Sequence, residues 1–150
     1  AGGALFDVGV YPLTIAADLF GWNPLQFDAQ AQIGETGVDE TMQIQLNYGE
    51  NRMAQLLASI ALVTNKEACI YGEEGFIRMP LFWKCEEFEV IKGDEVEKVR
   101  LPFISNGYAH EIMAARDCIK NGELESNIFT LEESLASARL VEQILATAIK

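Results

Sequence analysis

The chain has 150 residues, enough for one compact domain, and 49% of them are apolar, enough for a real core. Twenty-three acids against eleven bases give a formal net charge of −12, which repels phosphate backbones and anionic lipid and argues against nucleic-acid binding. No apolar run reaches the roughly 18 residues of a bilayer-spanning helix, and the first twenty residues carry Asp7 and Asp18 without the basic start of a signal peptide.

Residues 3–21 place Leu5, Val8, Leu13, Ala16, Ala17, Leu19 and Phe20 closer to a helical than to a strand period, and Gly21 is suited to end the segment. Pro12 lacks the N–H that the Val8 carbonyl would accept, and with Gly9 it predicts a helix with a local defect. From 26 to about 101 the period becomes two. Met42, Ile44, Leu46 and Tyr48 alternate with Thr41, Gln43, Gln45 and Asn47, the pattern of a half-buried strand over 41–48. Gly49-Glu50-Asn51 turns the chain into a second strand through Met53–Val63. Ala68–Tyr71 and Phe76–Met79 flank the turn at 72–75, and Phe88–Ile91 and Val96–Leu101 flank the turn at 92–95, two hairpins of an antiparallel sheet.

Two helices close the chain. The first covers 108–121, with Ile112, Ala115 and Ile119 on one face and Gly122 as the stop. The second covers 131–149 after a capping box of Thr130 and Glu133, with Leu135, Ala138, Val141 and Leu145 as its inward stripe. A helix, a run of strands and then helices predict an α+β fold: a mostly antiparallel open sheet of about six strands with helices on one face.

Cys69, Cys85 and Cys118 show no CxxC spacing and form neither a zinc set nor a disulfide framework, which suits a reducing cytoplasm. His110 is the only histidine, so a multi-histidine metal site is excluded and no metal is expected. Beside Glu111 in a predicted first turn, it reads as a solvated helix-start residue; Arg116 and Arg139 read as helix-surface ion-pair formers. The polar side of strand 41–48 is uncharged and rich in amides, and Gln55 and Ser59 continue the style. Two readings fit it: an ordinary solvated face, or a sheet face buried in a homodimer, where interface cores are poor in charge.

The run Gly2-Gly3-Ala4-Leu5-Phe6-Asp7-Val8-Gly9-Val10-Tyr11-Pro12 resembles a segment of the glucose–fructose oxidoreductase/inositol dehydrogenase/rhizopine-catabolism (Gfo/Idh/MocA) family. Gly37-Val38-Asp39-Glu40, the hairpin Ile70–Ile77, the helix ending Asp117–Gly122 and Glu132-Glu133-Ser134-Leu135 extend the resemblance over nearly the whole chain, closest in style to the trans-dihydrodiol dehydrogenase-like branch. The resemblance implies a two-domain enzyme. An N-terminal Rossmann domain would bind NAD or NADP and carry a catalytic lysine in a Glu-Lys-Pro motif. The C-terminal α+β domain would close the substrate pocket and mediate dimerisation. No Rossmann fingerprint and no Glu-Lys-Pro occur here, and Gly72-Glu73-Glu74-Gly75 reads as a hairpin turn. The chain is therefore expected to be the C-terminal, substrate-side part of a longer protein, inactive alone.

On the family pattern Tyr11 is the acid/base, or the group that orients the substrate hydroxyl, and Asp7 adds a hydrogen bond or charge to the same site. Spaced i, i+4 on a helix, the two would emerge on one face. Oxidising a secondary alcohol needs a base for the hydroxyl proton while hydride leaves for the nicotinamide, and a tyrosine serves when a nearby cation lowers its pKa from about 10. Gly2 and Gly3 would let the backbone approach cofactor or substrate closely. Taken without the family, Asp7 and Tyr11 read as a helix cap and a core aromatic. Trp83, with Phe82, and Phe103 lie where related enzymes place aromatics near substrate, and packing is their alternative role. The expected substrate is a sugar, cyclitol or dihydrodiol-type compound. The competing reading is a non-catalytic oligomerisation or ligand-binding module.

Overall fold

The alternation at 41–48 becomes the middle of a three-stranded antiparallel sheet in the computed structural model, which describes residues 2–149. Here β1 (Gln26–Ile33), β2 (Asp39–Gly49) and β3 (Arg52–Ser59) lie in the order β1-β2-β3. A second sheet holds β4 (Glu67–Tyr71), β5 (Phe76–Pro80), β6 (Glu87–Lys92) and β7 (Glu95–Arg100) as a simple meander. The α-helices are α1 (Val10–Phe20), α2 (Tyr108–Asn121) and α3 (Leu131–Ala148), and a π-turn, Leu5–Gly9, runs directly into α1. The expected antiparallel α+β class is observed, with seven strands among the described residues, in two hydrogen-bonded sheets. The chain groups into two compact units: residues through Val63 together with those from Phe129, and Thr64–Ile128.

In the first unit the sheet buries one face. Met42, Ile44, Leu46 and Tyr48 point inward from β2, and Gln43, Gln45 and Asn47 point out. The register sets Ala31 and Ala58 beside Met42, Ala29 and Leu56 beside Ile44, and Phe27 and Ala54 beside Leu46. Four of those six neighbours are alanine, so helices can approach the flanking strands while the large side chains of β2 fill the middle. The π-turn and α1 lie against β3, and α3 lies against β1. Leu5, Leu13, Ala16 and Ala17 meet Leu140, Val141 and Ile144 in the same core.

Several boundaries differ from the sequence expectation, each for a local reason. Thr41 is buried, its hydroxyl 2.8 Å from that of Ser59. β3 stops at Ser59, short of Val63, because the Ser59 Oγ accepts the N–H groups of Ala61 and Leu62 and diverts the backbone from the ladder. The inward stripe of α3 is Leu140, Val141 and Ile144, with Ala136, Leu145 and Ala148 beside them; Leu135 and Ala138 are exposed. Val141 and Leu145 belong to both stripes, so the helix is rotated by a fraction of a turn from the expected facing.

The second unit has no fully buried side chain among the described residues. One face of its sheet carries an ion ladder: Arg78 pairs with Glu67 (2.7 Å) and Glu89 (3.3 Å), and Lys98 reaches Glu89 (3.4 Å). Register explains the ladder, since Cys69, Arg78, Glu89 and Lys98 are successive cross-strand partners. The β6–β7 turn is Gly93-Asp94, with Gly93 at φ 57°. α2 spans the expected residues and ends on left-handed Gly122, whose N–H meets the carbonyls of Cys118 and Ile119. Its expected inward face does not form: Ile112, Ala115 and Ile119 are all exposed.

Candidate functional site

Pro12 shapes the segment that carries Asp7 and Tyr11. Its ring crowds the Val8 carbonyl and offers it no N–H, and the helix accommodates this by widening into the π-turn just upstream. Gly9 ends that turn, buried where an added Cβ would press on Leu5 and on Ala58 of β3. Leu5, Gly9 and Leu13 form the sheet-facing side. Phe6, Asp7 and Tyr11 are exposed on the side turned away, Tyr11 at 49%. Neither the Asp7 carboxylate nor the Tyr11 hydroxyl is engaged by another described side chain. Both are free to meet a ligand. The four-residue step between them spans the junction of π-turn and helix, and single π-turns inside helices recur at functional sites.

The start of the segment is fixed by a residue that sequence reasoning assigned only to a strand opening. Asp39, the first residue of β2, is 2% exposed, and its Oδ2 accepts the Leu5 N–H at 2.7 Å. It supplies from 34 residues away the acceptor that a helix start ordinarily takes from its own N-cap. Gly3 makes this possible. It is buried at φ 105°, and a Cβ there would overlap the Asp39 carboxylate. Gly3 thus has a structural role of its own, whereas Gly2 is exposed and a Cβ there would only touch the Val38 side chain at 3.8 Å. An acidic residue opening a strand 36 residues after Gly3 carries no local signal, so the pairing was hidden.

Trp83 and Phe103 belong to the second unit. Trp83 sits in a 3-10 turn, Phe82–Lys84, that follows β5, with Phe82 edge-on to it at 5.7 Å. Phe103 is tied to the segment just after that turn, because its N–H donates to the Glu86 carboxylate (2.9 Å) and the Leu101 N–H to the Glu86 carbonyl (2.8 Å). His110 is exposed but more engaged than a solvated helix-start residue: its Nε2 accepts the Ile104 N–H at 3.3 Å and its ring meets Phe103 edge-on. Arg116 pairs with the adjacent Asp117. No group of three or more His, Cys, Asp or Glu residues suited to a metal occurs among the described residues.

A concavity of about 320 Å³ opens on the outer face of the first sheet, walled by Asp28, Gln30, Gln43, Gln45, Gln55 and Leu57. It lies across the sheet from Asp7 and Tyr11, so it is not their pocket. Cross-strand register makes it: Asp28, Gln45 and Gln55 form one row and Gln30, Gln43 and Leu57 the next.

The fold and the exposed Asp–Tyr segment together describe an antiparallel α+β domain with two unengaged polar side chains on one outward side of a helical segment. Residues 1–78 match the GFO/IDH/MocA C-terminal domain, and the chain belongs to that family. It is 31% identical over 153 residues to the trans-1,2-dihydrobenzene-1,2-diol dehydrogenase of Xenopus laevis, covering 96% of this chain and 46% of that protein. The human enzyme of the same name is 27% identical over 152 residues, with the same coverage. The chain spans about half the length of the curated relatives it matches. A 3-ketoreductase from Actinomadura kijaniata, solved with TDP-benzene and NADP, superposes with a TM-score of 0.84 at 24% identity, over 99% of this chain and 48% of that one. An aldose-aldose oxidoreductase from Caulobacter crescentus, complexed with glycerol, gives 0.83 at 20% identity, over 98% and 45%.

Proposed function

We propose that this chain is the substrate-side domain of an NAD- or NADP-dependent oxidoreductase acting on a sugar, cyclitol or dihydrodiol-type hydroxyl or carbonyl. The observation that carries the reading is the π-turn and its continuation, which hold Asp7 and Tyr11 outward with uncommitted polar groups on a rigid, core-anchored segment. The dehydrogenase relatives and the dinucleotide-bound structural neighbours support it. When bound, the nicotinamide supplies or accepts the hydride. Tyr11 takes the proton from the substrate alcohol as its phenolate in oxidation, and as the phenol gives a proton to the forming alkoxide in reduction. Asp7 orients that hydroxyl or the substrate by hydrogen bonding.

The residues described here do not fit a dinucleotide's phosphates. Gly72 and Gly75 close a β4–β5 hairpin, the Gly72 N–H donating to the Gly75 carbonyl at 2.8 Å, and Gly34 and Gly37 close the β1–β2 turn, the Gly37 N–H donating to the Gly34 carbonyl at 3.0 Å, so neither Gly-x-x-Gly offers a cradle. On this reading the cofactor and an activating lysine are held by chain outside these residues, and the 150 residues alone are inactive. The test joins the chain to its native upstream coding sequence and assays NAD(P)H turnover over polyols, aldoses and dihydrodiols. Tyr11→Phe is expected to lower kcat/KM by about 10²–10⁴-fold, with substrate binding largely kept. Unchanged kcat/KM on a working substrate would remove Tyr11 from the chemistry.

The outer face of the first sheet favours a second role alongside the first, a homodimer interface. Its amide side chains, the concavity among them and the exposed Met53 and Leu57 make a charge-poor surface on a chain of net charge −12. The three cysteines are all unpaired, in keeping with a cytoplasmic setting, and no described helix is long and apolar enough to cross a membrane.

A further inference from the structure

In an asparagine followed by glycine, the side-chain amide meets the next backbone nitrogen with least hindrance, because glycine has no Cβ to shield its N–H. The chain has two such pairs, Asn106-Gly107 and Asn121-Gly122, one at each end of α2 and both exposed at the asparagine. Their backbones differ. Asn121 is the last residue of the helix, and the Gly122 N–H is held by the carbonyls of Cys118 and Ile119, the latter at 3.2 Å. Helical backbone also keeps an asparagine's amide carbon away from the nitrogen that follows it. Asn106 stands in the turn before the helix, where the Gly107 N–H reaches the Ile104 carbonyl at 3.4 Å, beyond the ordinary N–H···O range.

That turn is strained. Ser105 takes its first central position at φ 60°, a left-handed conformation that turns ordinarily give to glycine, asparagine or aspartate. Strain and the long bond both favour opening, which frees the Gly107 nitrogen and the Asn106 amide together. The residues on either side are fastened. The Glu86 carboxylate accepts the Phe103 N–H at 2.9 Å, and the His110 Nε2 accepts the Ile104 N–H at 3.3 Å. The Gly107 carbonyl accepts the His110 N–H at 3.1 Å. Asn106-Gly107 is thus an exposed, loosely bonded step between fixed points.

We propose that Asn106-Gly107 is a self-modifying site that converts to isoaspartate and aspartate, while the fold protects Asn121-Gly122. The Gly107 nitrogen loses its proton to base and attacks the Asn106 side-chain carbonyl carbon. A carbon–nitrogen bond forms, and the side-chain nitrogen leaves as ammonia with the proton that the glycine nitrogen gave up. Water then opens the cyclic imide. Opening at the original backbone carbonyl leaves the chain running through the side chain, as isoaspartate; opening at the side-chain carbonyl leaves aspartate. The net change takes in one water and releases one ammonia, with no oxidant, metal or enzyme. The isoaspartyl product carries an extra methylene in its backbone, which displaces the Gly107 carbonyl from the His110 N–H and Ile104 from the His110 ring. The site stands independently of the oxidoreductase reading.

The test incubates the 150-residue chain in mildly alkaline buffer, where more of the Gly107 nitrogen is deprotonated. Peptide mapping by mass spectrometry follows each asparagine, and an isoaspartyl-specific methyltransferase counts the isoaspartyl share. Conversion at Asn106 is expected to run at least about tenfold faster than at Asn121 in the folded chain, and to slow in mildly acidic buffer. In concentrated urea the two rates are expected to converge, because the dipeptide and not the fold then sets both. His110 is the only histidine, so its ring-proton resonances report the structural effect, and a second set should grow in step with isoaspartate. N106Q, whose longer side chain closes far more slowly, is expected to lose both the conversion and the second set. Equal rates at the two asparagines in the folded chain, faster conversion at Asn121, or an Asn106 that stays intact while urea converts both would overturn the proposal. So would a second His110 set that grows equally in N106Q.

Discussion

Asp39 shows how much one side chain contributes when its position is buried. Its carboxylate has left water to meet the Leu5 N–H, a charge-assisted bond at the base of the segment that carries Asp7 and Tyr11. Asp39→Ala orphans a buried donor. The expected loss is about 1–3 kcal/mol, read as a lowered midpoint in urea denaturation followed by circular dichroism. Gly3→Ala is expected to act in the same direction by displacing the carboxylate from a residue at φ 105°. Wild-type stability in both variants would leave the Asp39–Leu5 link without a structural role. Asp7 and Tyr11 were legible as a motif through their spacing and their resemblance. Asp39 was not, since its partner lies 34 positions away and only strand pairing aligns them.

At the scale of elements, the capping box of α3 was readable and is complete. Thr130 Oγ1 accepts the Glu133 N–H at 3.2 Å, and Glu133 Oε2 accepts the Thr130 N–H at 2.8 Å. The Thr130 backbone N–H and then its hydroxyl hold the Glu133 carboxyl below its ordinary value of 4.5. A lowered folded value means that the cap's charge contribution is present above the ordinary glutamate range and is lost as pH falls through the folded value. Thr130→Ala is expected to cost about 1 kcal/mol at neutral pH. Its difference from wild type should narrow in denaturation curves taken near pH 3; a gap that widened on acidification would contradict the assignment. Facing was harder to read than extent. The stripes of α2 and α3 were drawn from apolar spacing, but an alanine-rich helix offers several apolar arcs, and the sheet under α3 selected the one containing Leu140 and Ile144.

Over the whole molecule, the two units differ in how they are held. The first buries a continuous core; the second relies on cross-strand ion pairs and partly buried apolar side chains. On the homodimer proposal, the charge-poor outer face of the first sheet is where a second copy would pack. Gln45, at the centre of that face between Asp28 and Gln55, gives a direct test. Gln45→Glu adds a like charge to each copy, and a dimer built there is expected to dissociate at least about tenfold more readily, with unchanged circular dichroism. Sedimentation equilibrium measures it. A monomer at high concentration in the parent chain, or a dimer indifferent to Gln45→Glu, would rule out this face.

The sequence alone determined the antiparallel α+β class, the positions of the turns, the cap of α3 and the place of the Asp–Tyr motif. Each of these rests on neighbours within a few residues, where side-chain period, glycine, proline and local hydrogen bonding decide the outcome. Only the tertiary structure decided that Asp39 anchors the motif, that Ser59 ends its strand, and that α3 turns a different face inward. Those pairings are made by strand register and helix docking between residues far apart in the chain, and no local pattern encodes which distant partner a side chain will meet.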